Sequence, residues 1–148
     1  LVKNWRLVKF LKEKKMTITN GVKKLIDEAM GQIDTMTTED AIASVGDDNI
    51  VFVDIRDVRE LERDGMVPGA FHAPRGMLEF WVDPDSPYFK KIFADESKTF
   101  VLYCQSAWRS VLATKTLMDM GMTNVKQFED GFGGWKKAGG PVAKKEKK

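Results

Sequence analysis

Two short apolar runs limit what this chain can fold into more than any other feature. The runs are VFVDI, residues 51–55, and TFVLY, residues 99–103, and each precedes a segment with helical character. Short continuous apolar runs are typical of strands that are buried on both faces of a parallel sheet. Their alternation with short helices predicts right-handed βαβ units. We therefore expect an α/β fold with a roughly five-stranded, mainly parallel sheet and helices on both faces.

The rest of the pattern predicts the other elements. Apolar residues at helical spacing predict a helix over 21–31, which either lies on the body of the protein or mediates dimer formation. A helix after Thr37 or Thr38 should end at Gly46, and the helix after Cys104 should end at Gly121. Further helices are expected within 57–65, 75–82, 84–95 and 131–141, and short strands within 33–37, 67–74 and 124–130.

The charge distribution suggests three segments. Six Lys/Arg and one Glu occupy residues 1–15, and four Lys and one Glu occupy residues 144–148, whereas the whole chain has a net charge of only +2. We predict a basic extension with an amphipathic helix over 1–32, one domain over 33–142 and a basic tail over 143–148. Solvated ends are favoured over contacts with nucleic acid or membrane. Met16 could be the native start of translation.

A single cysteine excludes an intramolecular disulfide and favours a reducing, cytoplasmic location. Cys104 opens the stretch CQSAWRS, after a predicted strand and before a predicted helix. Ligands of parallel sheets bind at the carboxyl ends of the strands. There, backbone N–H groups and the start of the helix would stabilise a thiolate or a bound anion. Arg109 would add a fixed positive charge, and Ser110 would cap the helix or donate a hydrogen bond to sulfur. The alternative is that Cys104 is a small buried apolar residue.

These residues resemble the active-site loop of the rhodanese-like sulfurtransferases, in which four residues separate a cysteine from an arginine. Residues 51–80 and 120–142 resemble two further signatures of that family, so the resemblance covers about residues 33–142. It implies a rhodanese-like three-layer domain. It also implies that Cys104 takes sulfane sulfur from a donor such as thiosulfate and passes it, as a persulfide, to cyanide or a thiol. The cradle would consist of Gln105, Ser106, Ala107, Trp108, Arg109 and Ser110.

The same resemblance implies that no metal or organic cofactor is needed and that the partners are small molecules. The protein would be a monomer or a homodimer. The family commonly has glycine at the position of Ala107. If that position requires a positive φ, alanine costs about 1 kcal/mol there. The turn at Gly65 and Met66 also departs from the family, which usually has His or Lys after the glycine.

Two other functions remain open. One is a cysteine-dependent phosphatase or arsenate reductase, because related phosphatases share this fold. Those enzymes place five residues between Cys and Arg, and CQSAWR has four and contains no carboxylate to act as a leaving-group acid. The other is a non-catalytic module that carries sulfur or binds a protein. A module of that kind has no chemical need for Cys104 and Arg109.

Several other residues are candidates for supporting roles. Asp54 could bind the loop amides or Arg109, or it could simply cap the turn after its strand. Arg56 and Glu60 are expected to pair with each other or with the scaffold. Arg75 could bind donor oxyanions, and His72, the only histidine, is expected to be structural.

The aromatic residues carry less information about function. Phe80, Trp81 and Trp108 could line a pocket, although a core position is favoured for them. Phe132 and Trp135 are expected to serve packing alone.

Overall fold

The computed structural model describes residues 16–147, so residues 1–15 of the N-terminal segment predicted over 1–32 lie outside the described residues. Five strands alternate with six α-helices and two short 3₁₀ helices in this part of the chain. The strands are β1 (Thr35–Met36), β2 (Ile50–Asp54), β3 (Phe71–His72), β4 (Thr99–Tyr103) and β5 (Val125–Phe128). The helices are α1 (Val22–Met30), α2 (Thr38–Ala43), α3 (Val58–Asp64), α4 (Leu78–Val82), α5 (Trp108–Asp119) and α6 (Gly131–Lys137), with 3₁₀ helices at Arg75–Met77 and Lys91–Ala94.

All five strands are parallel, in the order β1-β5-β4-β2-β3. The predicted α/β architecture is therefore confirmed. The two apolar runs of the sequence form the adjacent central strands β2 and β4, which pair along their whole length. Their carboxyl ends meet at one edge of the sheet, where the Ile55 amide donates a hydrogen bond to the Tyr103 carbonyl at 3.0 Å.

The central strands are buried on both faces because their side chains alternate between two apolar clusters. Phe100 and Leu102 belong to a cluster that packs under α4 and α5. Val101 and Tyr103 belong to a second cluster, which packs under α2 and α6. This two-sided burial explains why the strands are uniformly apolar in sequence. It also explains Phe132 and Trp135, which lie in the second cluster with 0% exposure, as predicted.

Helix α1 lies on the body of the protein. Ile26 and Ala29 of α1, together with Ile33 just after it, pack against Val111 of α5. Leu25, on the apolar stripe predicted for this helix, stays 43% exposed. The stripe is therefore only partly buried. No helix among residues 16–147 is long and apolar enough to cross a membrane.

Gly121 ends α5 as predicted. The last helical residue is Asp119, Gly121 has φ of 111°, and the amides of Gly121 and Met122 donate to the carbonyls of Met118 and Leu117. Thr37 caps α2 as predicted, but the helix ends at Ala43, and Gly46 lies in the following turn with φ of 88°.

Candidate active site

The strand–loop–helix junction after β4 places Cys104 at the carboxyl edge of the sheet. Cys104 is buried, with 0% exposure. Its Sγ accepts a hydrogen bond from the Ser110 amide at 3.4 Å and lies 3.7 Å from Ser110 Oγ. The loop thus curls back so that the first turn of α5 touches the sulfur. A negative charge on this sulfur would meet both an amide donor and the amino end of a helix.

The Ser110 hydroxyl is held by the scaffold. Its Oγ lies 3.0 Å from the Ala107 carbonyl and 3.0 Å from Gln127 Oε1, and its proton can be donated to only one of these acceptors at a time. Gln127 on β5 is 1% exposed and donates in turn to Thr35 on β1 at 2.9 Å. The sequence suggested that the Ser110 hydroxyl would cap the helix or donate to sulfur. In the structure the backbone amide of Ser110 donates to sulfur, and the hydroxyl binds the Ala107 carbonyl or Gln127.

The other amides of the loop have no partner within residues 16–147. The N–H groups of residues 105–109 donate no hydrogen bond to any other described residue. Five consecutive amides without a described partner thus precede the Ser110 N–H, and amides of this kind can bind an anion or a bound sulfur atom. Gln105 and Ala107 are partly buried, whereas Ser106, Trp108 and Arg109 are exposed.

The Gly-rich turn before and within α6 fixes the other side of the loop. The amides of Phe132 and Gly133 donate to the carbonyls of Cys104 and Gln105 at 2.8 and 3.0 Å. These bonds point the two carbonyls away from the cradle. Gly131 has φ of 61°, and a Cβ there would lie 2.6 Å from the Gln105 carbonyl carbon. The sequence predicted only packing for this turn. Its glycines were the signal that another backbone approaches closely.

A buried ion pair supports the first loop residue. Arg56 and Asp54 both have 0% side-chain exposure, and Arg56 Nη2 donates to Asp54 Oδ2 at 2.7 Å. Arg56 also donates to the Gly65 carbonyl at 2.8 Å and to Gln105 Oε1 at 3.1 Å. Its guanidinium lies 4.4 Å from the Phe132 ring centre. Burial opposes the charge on Arg56, but the hydrogen bonds and charge of Asp54 raise its pKa overall.

One alternative of each charge prediction is confirmed. Asp54 caps the turn by accepting the Arg56 amide at 3.0 Å, and it does not bind Arg109. Arg56 pairs with scaffold groups and not with Glu60. Instead, Arg109 donates two parallel hydrogen bonds to Glu60, at 2.9 and 3.0 Å. Glu60 Oε2 also accepts from the Asp57 amide at 3.0 Å, which completes a capping box at the start of α3.

The Glu60–Arg109 pair is electrostatically linked to the thiol. The hydrogen bonds from Arg109 hold the pKa of Glu60 below its ordinary value, so Glu60 is ionised at neutral pH. The hydrogen bonds to Glu60 raise the pKa of Arg109, partial burial opposes this, and the neighbouring Cys104 thiol adds to the rise. A carboxylate already occupies the guanidinium of Arg109. Nothing in the sequence between Cys104 and Ser110 could show this carboxylate, because it comes from α3.

His72 and Arg75 lie beside the site on the β3 side. His72 Nε2 is 2.7 Å from the Arg56 carbonyl oxygen, in agreement with a structural role. Arg75 pairs with Glu79 at 2.6 Å and lies 3.5 Å from Thr116 Oγ1 on α5. These contacts direct its guanidinium along α4 and α5. A role for Arg75 in binding donor oxyanions stays a prediction.

Two of the three aromatic residues considered as a pocket lining are exposed. Phe80 and Trp108 are 52% and 57% exposed, so the core position favoured by the sequence is wrong for them. Trp81 packs against the cluster under α4, with its ring 6.1 Å from that of Phe71. Trp108, next to Arg109, therefore offers apolar surface beside the loop.

Ala107 adopts the strained conformation that its position suggested, with φ of 73°. A left-handed conformation costs a non-glycine residue about 1–2 kcal/mol. Glycine loses about 0.5–1 kcal/mol through its greater freedom in the unfolded chain. Ala107→Gly is therefore expected to raise the free energy of unfolding by about 0.5 kcal/mol, measured by urea denaturation. A decrease would show that the Ala107 methyl group makes a stabilising contact.

Comparison with known proteins agrees with this geometry. The family model of the rhodanese-like domain matches residues 37–138, and the chain therefore belongs to the rhodanese-like family. The predicted domain bounds of 33 and 142 stay a prediction. The Cys104 loop, α6 and four of the five strands lie within the matched region, and β1 directly precedes it.

Three proteins illustrate the range of relatives. Thiosulfate sulfurtransferase 16 (chloroplastic) of Arabidopsis thaliana is 31% identical over 94 residues, which are 62% of this chain and 78% of that protein. A protein of unknown function from Rhodopseudomonas palustris CGA009, described as a possible tyrosine phosphatase, is 54% identical. Its structure gives a TM-score of 0.84 over 88% of this chain and 99% of that one. A rhodanese-related protein of Thermoplasma volcanium, 21% identical, shares the fold with a TM-score of 0.61 over 75% and 98% of the two chains.

Proposed function

We propose that this protein is a sulfurtransferase in which Cys104 carries sulfane sulfur as a persulfide. The observation that carries the proposal is the position of the thiol. The Cys104 Sγ accepts a hydrogen bond from the Ser110 amide at 3.4 Å, and the amides of residues 105–109 in the same loop have no described partner. The amides and the start of α5 favour negative charge on Cys104 and then on the outer sulfur of its persulfide.

The first half-reaction charges the cysteine. The Cys104 thiolate attacks the outer sulfur of the donor, a new S–S bond forms, and the original S–S bond breaks with its electron pair on the leaving group. With thiosulfate the products are the Cys104 persulfide anion and sulfite. In the second half-reaction cyanide or a thiol attacks the outer sulfur, which leaves as thiocyanate or a new persulfide and regenerates the thiolate. The two separate steps predict ping-pong kinetics.

Space for an acceptor lies beside the loop. A groove of about 1010 Å³ runs from Gln105 and Ser106 toward α2 and α6, and Glu39, Glu129 and Lys137 are among its charged lining residues. A small thiol would reach the loop from this side.

The single reduced cysteine supports a cytoplasmic location, and we expect the active form to be a monomer or a homodimer.

The test is mass spectrometry of the intact protein after incubation with thiosulfate or glutathione persulfide. We expect an adduct of one sulfur atom on the wild type, removed by cyanide, and none on Cys104→Ser. The chain has one cysteine, so the adduct has a single possible thiol site. If no donor gives the adduct on the folded wild type, the proposal is wrong.

A phosphatase is the second candidate, because the relative from Rhodopseudomonas palustris is described as a possible tyrosine phosphatase. Two features of this chain disfavour it. Only four residues separate Cys104 from Arg109, and Glu60, the carboxylate paired with Arg109, is ionised and cannot protonate a leaving group. Hydrolysis of an aryl phosphate that is lost in Cys104→Ser, without sulfur transfer, would favour the phosphatase.

A further inference from the structure

We propose that Glu60 determines the donor class by neutralising Arg109, so that the site favours organic hydropersulfides over small dianions such as thiosulfate. This inference rests on the proposed sulfur transfer and names the substrate class of the same site. Arg109 and Glu60 are joined by two parallel hydrogen bonds, at 2.9 and 3.0 Å.

The guanidinium of Arg109 has the shape that binds an oxyanion through two parallel N–H donors. In this structure those donors already bind a carboxylate. Glu60 is 19% exposed and is also held by the Asp57 amide, so its position is fixed by α3 as well as by Arg109. A dianion that approaches the loop must either displace the Glu60 carboxylate from Arg109 or bind next to its negative charge. The attraction that an unpaired arginine would provide is cancelled at short range.

The other charges near the loop are also compensated. Arg56 forms a buried pair with Asp54, and Arg75 pairs with Glu79. Within the described part of the chain, each arginine that contacts the loop or lies beside it is therefore paired with a carboxylate. The free amides of residues 105–109 stabilise a bound sulfur but carry no net charge.

A hydropersulfide donor suits this environment because its reacting end carries at most one charge. The Cys104 thiolate attacks the outer sulfur of R–S–SH. The S–S bond of the donor breaks, RS⁻ leaves, and the Cys104–S–SH persulfide forms. The indole of Trp108, which is 57% exposed, offers apolar surface to the carbon skeleton of such a donor.

The first experiment measures charge selection at the thiol without sulfur chemistry. Cys104 is the only cysteine, so alkylation by iodoacetate and iodoacetamide reports on one site with an anionic and a neutral reagent. Glu60→Gln is expected to raise the iodoacetate-to-iodoacetamide rate ratio about threefold to tenfold, because a unit negative charge near the thiol is removed. Any change in thiolate population affects both reagents equally and cancels in the ratio.

Glu62→Gln is the matched control, since it removes the same charge from the same helix without a contact to Arg109, and it should change the ratio less than twofold. Arg109→Gln is the second variant and should lower the ratio, because it leaves Glu60 unpaired. High salt should reduce both effects. If folded Glu60→Gln gives the same ratio as Glu62→Gln and Arg109→Gln does not lower it, the inference is overturned.

The second experiment compares donors. Glu60→Gln should raise kcat/KM for thiosulfate about threefold to tenfold and change that for glutathione persulfide less than twofold. Equal effects on both donors would contradict donor selection by Glu60. If no donor modifies Cys104 although the alkylation ratio shifts, the charge effect of Glu60 stands and the proposed sulfur transfer fails. If donors are turned over but the alkylation ratio does not shift, the proposed sulfur transfer stands and the charge effect of Glu60 fails.

Discussion

Arg56→Met is expected to lower the free energy of unfolding by about 3–5 kcal/mol, because it leaves a buried carboxylate without its counter-ion. Asp54 has 0% side-chain exposure and receives hydrogen bonds from the Arg56 side chain at 2.7 to 3.2 Å. The same substitution removes the donors to Gly65 and Gln105. Urea or guanidinium denaturation, followed by Trp fluorescence, measures the change.

Arg59→Met is the control for this substitution. Arg59 also pairs with an aspartate two residues away, Asp57, but its side chain is 83% exposed. Its replacement should leave the free energy of unfolding nearly unchanged. The double variant Asp54→Leu/Arg56→Met should be more stable than Arg56→Met, since no buried charge remains. Similar losses for Arg56→Met and Arg59→Met would contradict this account of the pair.

Gly131→Ala is expected to disable the Cys104 loop. The added Cβ would lie 2.6 Å from the carbonyl carbon and oxygen of Gln105 and 2.8 Å from the Cys104 oxygen, so the loop backbone must move. A displacement of this size is expected to slow the reaction of Cys104 with a sulfane donor about a hundredfold. The left-handed conformation and the steric overlap should together cost about 2–4 kcal/mol of stability.

Gly69→Ala separates the two causes. Gly69 has a similar φ of 76°, but a Cβ there meets nothing within 4 Å. Its replacement should cost about 1–2 kcal/mol for the backbone conformation and leave donor turnover unchanged. If Gly131→Ala and Gly69→Ala reduce donor turnover equally, the approach of the α6 turn to the Cys104 loop has no functional role.

Features that depend on residues close together in the sequence could be predicted from the sequence. The apolar runs predicted β2 and β4, and the position of Cys104 after β4 predicted a thiol at the carboxyl edge. The glycine that the family commonly has at the position of Ala107 raised the question of a positive φ, and the structure has 73° there. The end of α5 at Gly121 was also accessible, whereas α2 ends at Ala43, three residues before the predicted Gly46.

The sequence by itself therefore determined the parallel α/β sheet and the thiol at its edge, because alternation, strand length and the order of elements are local properties. Only the tertiary structure decided which charges meet. Arg109 pairs with Glu60, 49 residues away, and the loop carbonyls are held by the first turn of α6. Spacing along the chain does not encode such pairs. They form because parallel crossovers bring α3, α5 and α6 to the same edge, where each buried or half-buried charge needs a partner.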